Sequence, residues 1–144
     1  MPATNARDLM TDSPAVVTPE TSAQDAARAM QDNDCGSLPV VESRNSMKLI
    51  GMLTDRDLAL RVLGRGMDGN TPVREAMTRN VSSVKLDDSL KDVERVMTGQ
   101  QVRRVPVVDG QDRVVGIVAQ ADLARELGTS QEVGRVVEKI SQPG

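Results

Sequence analysis

Two apolar periodicities alternate along this chain, and the whole alternation occurs twice. Ala23, Ala26, Ala27 and Met30 recur at helical spacing, and two short runs with strand character follow, Leu38-Pro-Val-Val41 and Lys48-Leu-Ile-Gly-Met-Leu53. The order returns in Leu90, Val93 and Met97, then in Val105-Pro-Val-Val108 and Arg113-Val-Val-Gly-Ile-Val118. Ser22-Ala-Gln-Asp25 and Ser89-Leu-Lys-Asp92 open the two helices as capping boxes, hydroxyl and carboxylate each satisfying a free backbone N–H. Pro39 and Pro106 cannot donate to a ladder, which predicts a strand start or an edge for each. The hairpin loops Ser43-Arg-Asn-Ser46 and Asp109-Gly-Gln-Asp112 carry ordinary turn residues, and a last helix runs from Asp55 to about Leu63 or from Gln120 to Leu127.

Each unit also has an opening helix, Ala6 to Met10 or Val73 to Met77, leading into an extended segment around Val16-Val17 or Ser83-Val84. Thr71 is placed as an N-cap with Pro72 at the first helical position. Alignment of the halves puts Met10-Thr11 on Met77-Thr78, Asp25 on Asp92, and Pro39-Val40-Val41 on Pro106-Val107-Val108. After a loop two residues shorter in the second copy, Gly51, Asp57 and Leu58 fall on Gly116, Asp122 and Leu123. The chain therefore divides into a first unit over residues 1–64 with its opening helix, a glycine-rich linker at 65–72, a second unit at 73–128 and a tail at 129–144. Val133, Val136, Val137 and Ile140 form a helical stripe in that tail. The fold class is α/β in the α+β sense, and because one unit alone buries too little surface, the two are expected to pack sheet to sheet.

Composition narrows the chemistry. There is no Phe, Tyr or Trp, so the core is aliphatic and stacking on nucleobases is excluded. With no His, the chain has no imidazole acid-base catalysis, no Ser-His or Cys-His pair and no His metal site, and no recognisable pair of carboxylates, lysines or hydroxyls replaces them, so an enzyme is not expected. The single Cys35 excludes an intrachain disulfide and is most simply a small half-buried thiol. A net charge of −3 argues against a nucleic-acid footprint. No apolar run reaches signal-peptide or membrane-span length, and a cytoplasmic location is expected.

The stretch Gly51-Met-Leu-Thr-Asp-Arg-Asp57, where a strand turns into a helix, carries the main candidate chemistry. Thr54 offers a hydroxyl at a helix start that favours an anion, and the Asp57 carboxylate can accept from both hydroxyls of a ribose. The same pair is also a capping box that needs no ligand. The second copy has Ala119 in place of the threonine and keeps Asp122. Arg103-Arg104, matched by Gly36-Ser37 in the first copy, is either a phosphate fork or two solvated cations. Asp55, Arg56 and Arg61 are assigned no chemistry.

The tandem arrangement of Leu-Pro-Val-Val and Val-Pro-Val-Val strands, each followed by a Gly-x-x-Thr-x-x-Asp or Gly-x-x-Ala-x-x-Asp turn, resembles a cystathionine β-synthase (CBS) domain pair. Its linker and the run Gln101-Val-Arg-Arg-Val-Pro106 resemble most the small stand-alone CBS proteins of the hypoxic response type. The resemblance implies a pseudo-twofold arrangement with two clefts between the halves, and a regulatory role. The clefts would take an adenosine compound, AMP, ADP or ATP, with NAD(H) or S-adenosylmethionine as further candidates. It implies base contacts from Thr11, Val16 and Val17 in one cleft and from Val81, Ser82 and Ser83 in the other, with main-chain contacts at Leu38-Pro39 and Val105-Pro106. The family pattern has Ser or Thr where Ala119 stands, so Ala119 departs from it at the phosphate position. A homodimer signalling to a separate effector protein is implied; the alternative is a non-catalytic interaction module with empty or vestigial clefts.

Overall fold

The computed structural model of the chain describes residues 3–100 and 102–127. The predicted stripe of Val133, Val136, Val137 and Ile140 lies outside them. In chain order the elements are α1 (Ala6–Leu9), β1 (Thr11–Asp12), α2 (Ala23–Asp32), β2 (Ser37–Val41), β3 (Leu49–Thr54), α3 (Asp55–Arg61), β4 (Thr78–Arg79), β5 (Val84–Lys85), α4 (Leu90–Gln100), β6 (Arg104–Val108), β7 (Val114–Ala119) and α5 (Gln120–Leu127). Two 3-10 turns, Leu63–Arg65 and Val73–Glu75, lie between α3 and β4. Helices and sheets alternate twice, an α+β arrangement in tandem.

The compact units are cut differently from the sequence repeats. One is Ala15–Val81; the other joins the chain before Ala15 to the chain from Ser82 onward. Each opening segment has moved to the other repeat, and the backbone shows why. Ala6 and Arg7 donate their N–H groups to the carbonyls of Asp88 and Leu86 at 2.9 and 3.0 Å, and at the matching positions Val73 and Arg74 donate to Thr21 and Pro19 at 2.8 and 3.0 Å. These first-turn donors have no partner inside their own helix, so the contact satisfies groups that would otherwise be orphaned. Apolar burial runs the same way: Ala6 and Leu9 join a core with Val84, Val93 and Leu123, while Val73, Ala76 and Met77 join one with Val17, Met30 and Leu53. The expected opening helix of the second repeat is only a 3-10 turn, with Pro72 as its N-cap and no side-chain cap. Thr71 does not cap it; its carbonyl accepts from Ala23 N–H at 2.8 Å, and Gly69 accepts from Gln24 at 3.0 Å, so the linker closes the start of α2.

In the Ala15–Val81 unit the sheet order is β2-β3-β4, antiparallel throughout, with Val17 bridging to Val40 in parallel. The other unit has the order β1-β7-β6-β5, with β5 parallel to β6. Pro39 lies in the edge strand β2, as expected. Pro106 instead lies in β6, an interior strand, and is tolerated because β5 pairs only with Val107 and Val108 beyond it. Ser22 Oγ accepts from Asp25 N–H at 3.1 Å, and at Ser89 and Asp92 both reciprocal bonds form at 3.1 Å.

The glycines that open the two turns are required by close approach. A Cβ on Gly51 would lie 2.6 Å from the Thr78 carbonyl oxygen of β4, and one on Gly116 would strike the Met10 side chain. Ser13 and Asn80 are left-handed at matching repeat positions, just before the two crossovers between units, and Met47 and Asp112 match likewise in the hairpin loops.

Candidate functional site

The sequence places the chemistry where β3 becomes α3 and where β7 becomes α5, one turn in each unit. At the first, the capping box is complete: Asp57 N–H donates to Thr54 Oγ1 at 3.0 Å and Thr54 N–H donates to Asp57 Oδ2 at 2.9 Å. Asp55 N–H donates to the Gly36 carbonyl at 2.9 Å and Arg56 N–H to Asp55 Oδ1 at 2.7 Å. The first-turn N–H groups of α3 are thus already partnered, so an anion would meet the Thr54 hydroxyl rather than a nest of bare amides. Asp57 Oδ1 has no partner among the described residues, and the side chains of Thr54 and Asp57 are half-buried. That oxygen is the free acceptor of this turn.

The second turn keeps the frame and changes the chemistry. Gln120 N–H donates to the Arg103 carbonyl at 2.7 Å, as Asp55 does to Gly36, and Ala119 N–H donates to Asp122 Oδ2 at 3.0 Å. Ala119 has no oxygen to offer the Asp122 N–H, so only half of the box exists. Asp122 Oδ1 is held by Arg125 Nη2 at 3.0 Å. Both carboxylate oxygens are therefore engaged. Sequence reasoning did not single out Arg125, although the spacing Asp122-x-x-Arg125 on a helix announces the pair.

Strand register sets what faces each turn. Ser37 pairs with Thr54 and Arg104 with Ala119, and directly opposed residues share a face of the sheet. Arg104 therefore stands on the Ala119 side of its own unit. Arg103 is exposed, and neither arginine has a side-chain partner among the described residues.

The remaining predicted residues divide between the units. Thr54, Asp57, Val17, Leu38, Pro39 and Val81 belong to Ala15–Val81; Thr11, Ser82, Ser83, Arg103, Arg104, Val105, Pro106 and Asp122 belong to the other. Val17, Leu38 and Val105 are 1%, 1% and 0% exposed, so their side chains are core. The Val17 N–H donates to Pro39 at 3.1 Å and its carbonyl accepts from Val41 at 2.9 Å. Thr11 pairs with Ile117 on one side of β7, and Pro106 pairs with it on the other. Val81 lines a shallow pocket with Leu49, Ile50, Arg79 and Asn80. Arg61, set aside from the sequence, points inward, donating from Nη1 to the Ala76 carbonyl at 3.1 Å.

The sequence profile of the CBS domain matches residues 6–64 and again 73–129. Hypoxic response protein 1 of Mycobacterium tuberculosis is 38% identical over 125 residues, covering 86% of this chain and 85% of that one. Its crystal structure, described with two coordinated zinc ions, is similar with a TM-score of 0.76 over 84% of this chain and 97% of that one. The CBS domain pair of MJ0100, solved with 5′-methylthioadenosine and S-adenosyl-L-methionine, is 31% identical with a TM-score of 0.76, covering 88% of this chain and 98% of that one. CBSX2, solved with AMP, is 28% identical with a TM-score of 0.73, covering 87% and 96%.

Proposed function

Because the chain belongs to the CBS domain family as a tandem pair, we propose that it is a regulatory module that senses an adenosine nucleotide. AMP, ADP or ATP is the preferred ligand class, with NAD(H) and S-adenosylmethionine as further candidates. The observation that carries this reading is the free oxygen of Asp57, a half-buried carboxylate acceptor beside the Thr54 hydroxyl. In it Asp57 takes the ribose and Thr54 a phosphate oxygen within the Ala15–Val81 unit, while Arg103 and Arg104, without side-chain partners among the described residues, are the phosphate candidates of the other unit. Thr11, Val81, Ser82 and Ser83 remain candidates for the base, as do backbone groups at Leu38-Pro39 and Val105-Pro106.

The role in this reading is regulatory and non-catalytic, which the tandem CBS match and a sequence without His support. We place the protein in the cytoplasm, signalling to a separate effector; no described helix is long and apolar enough to cross a membrane. Leu60, Leu63 and Met67, close in sequence, are 55%, 73% and 37% exposed, and these apolar side chains support a homodimer. A second reading, an interaction module with vestigial sites, draws on the closed capping box at Thr54 and the fully engaged Asp122.

Thermal unfolding followed by circular dichroism separates the two. A ligand at about 100 times its dissociation constant stabilises by roughly 2.7 kcal/mol, a rise of about 5–10 °C in a chain of this size. Absence of a shift with all five ligands favours the interaction module.

A further inference from the structure

Resting on the nucleotide reading, we propose that Arg125 makes the two turns unequal: it occupies the Asp122 oxygen that a ribose would use, so that AMP fills the Asp57 turn first. The two carboxylates are related by the repeat and held in the same way from one side, Thr54 N–H on Asp57 Oδ2 at 2.9 Å and Ala119 N–H on Asp122 Oδ2 at 3.0 Å. They differ at the other oxygen. Asp122 Oδ1 accepts from Arg125 Nη2 at 3.0 Å, whereas three residues beyond Asp57 the matching position is Leu60, which has no donor. A ribose hydroxyl reaching Asp122 competes with a charged donor; one reaching Asp57 meets only solvent at its outer oxygen. Arg125 is a positioning residue acting through Asp122, and the competition is modest because its side chain is 72% exposed. Exposed pairs of this kind are worth a few tenths to one kcal/mol, which converts to about a two- to five-fold change in affinity.

The amides of Thr54 and Ala119 each donate to the carboxylate in question, so they report the two turns separately in an amide NMR titration of the full chain with AMP. In the natural protein the Thr54 amide should reach its midpoint at a lower AMP concentration than the Ala119 amide. In Arg125→Leu the Ala119 midpoint should fall about two- to five-fold with the Thr54 midpoint unchanged. Coincident midpoints in the natural protein overturn the proposal. So does an Ala119 midpoint that stays or rises in Arg125→Leu, which would make Arg125 a bystander or a ligand contact. If neither amide responds in either protein, the nucleotide reading itself fails and the inference falls with it.

Discussion

Asp57 has two separable duties in this account, one to the helix and one to the ligand. Its Oδ2 accepts from Thr54 N–H at 2.9 Å, and its own N–H is held by Thr54 Oγ1 at 3.0 Å. Thr54→Ala and Asp57→Ala each remove one arm of the same box, and loss of a capping side chain costs about 1 kcal/mol. Each variant should therefore melt roughly 2–4 °C below the natural protein, and both remain folded, since domain stabilities are about 5–15 kcal/mol. Binding should split them. Hydrogen bonds to a charged acceptor are worth about 1.5–3 kcal/mol, so Asp57→Ala should weaken AMP by roughly ten- to 150-fold. Thr54→Ala, which removes a neutral hydroxyl, should weaken it only several-fold. Melting by circular dichroism and AMP titration by calorimetry on the same samples measure both quantities. Should Asp57→Ala melt lower as expected yet bind AMP within about two-fold of the natural protein, the residue is a helix cap and the ligand assignment is wrong.

Other consequences concern the frame that holds these turns. Gly51→Ala drives a Cβ toward the Thr78 carbonyl and should destabilise by about 1–3 kcal/mol, whereas Gly99→Ala, in α4 with nothing within 4 Å of the new carbon, should stabilise, by about 0.5–1 kcal/mol; denaturant titration reads both signs. Arg61→Met leaves the Ala76 carbonyl without its donor and should cost about 1–2 kcal/mol in the same assay. The Asp92 carboxyl is held below its ordinary 3.8, first by the Ser89 N–H and then by the Ser89 hydroxyl. A depressed carboxyl stabilises the fold above its ordinary value and loses that contribution as pH falls through the lowered one. Ser89→Ala should therefore move the Asp92 midpoint back toward 3.8 in a carboxyl NMR titration.

Much of the fold was legible because the same patterns occur twice. Helical spacing, the Ser89-Asp92 box, the Thr54-Asp57 box and the valine-rich strands all follow from local rules, and each rule could be checked against its repeat. The exchange of opening segments was not legible. Alignment of the copies assigns Ala6 to Leu9 to the first unit, but the bonds that fix this helix go to Leu86 and Asp88, far along the chain. No local pattern encodes so distant a pairing. Pro106 misled for a related reason: whether a strand is an edge depends on how far its neighbour extends. Thr54, Asp57 and Asp122 were picked out as candidates from their repeat positions, and each lies where a strand becomes a helix. Arg61 was missed because an arginine on a short amphipathic helix looks solvated until the carbonyls it serves are brought beside it.

The central claim is that this chain holds an adenosine nucleotide, and its composition makes the direct measurement simple. With no Phe, Tyr or Trp in the chain, adenine absorbance is almost free of protein background. Equilibrium dialysis of the protein against AMP, ADP, ATP, NAD(H) and S-adenosylmethionine should leave excess adenine on the protein side for at least one of them, rising to saturation. Equal absorbance on both sides of the membrane for all five, at ligand concentrations into the millimolar range, would contradict it.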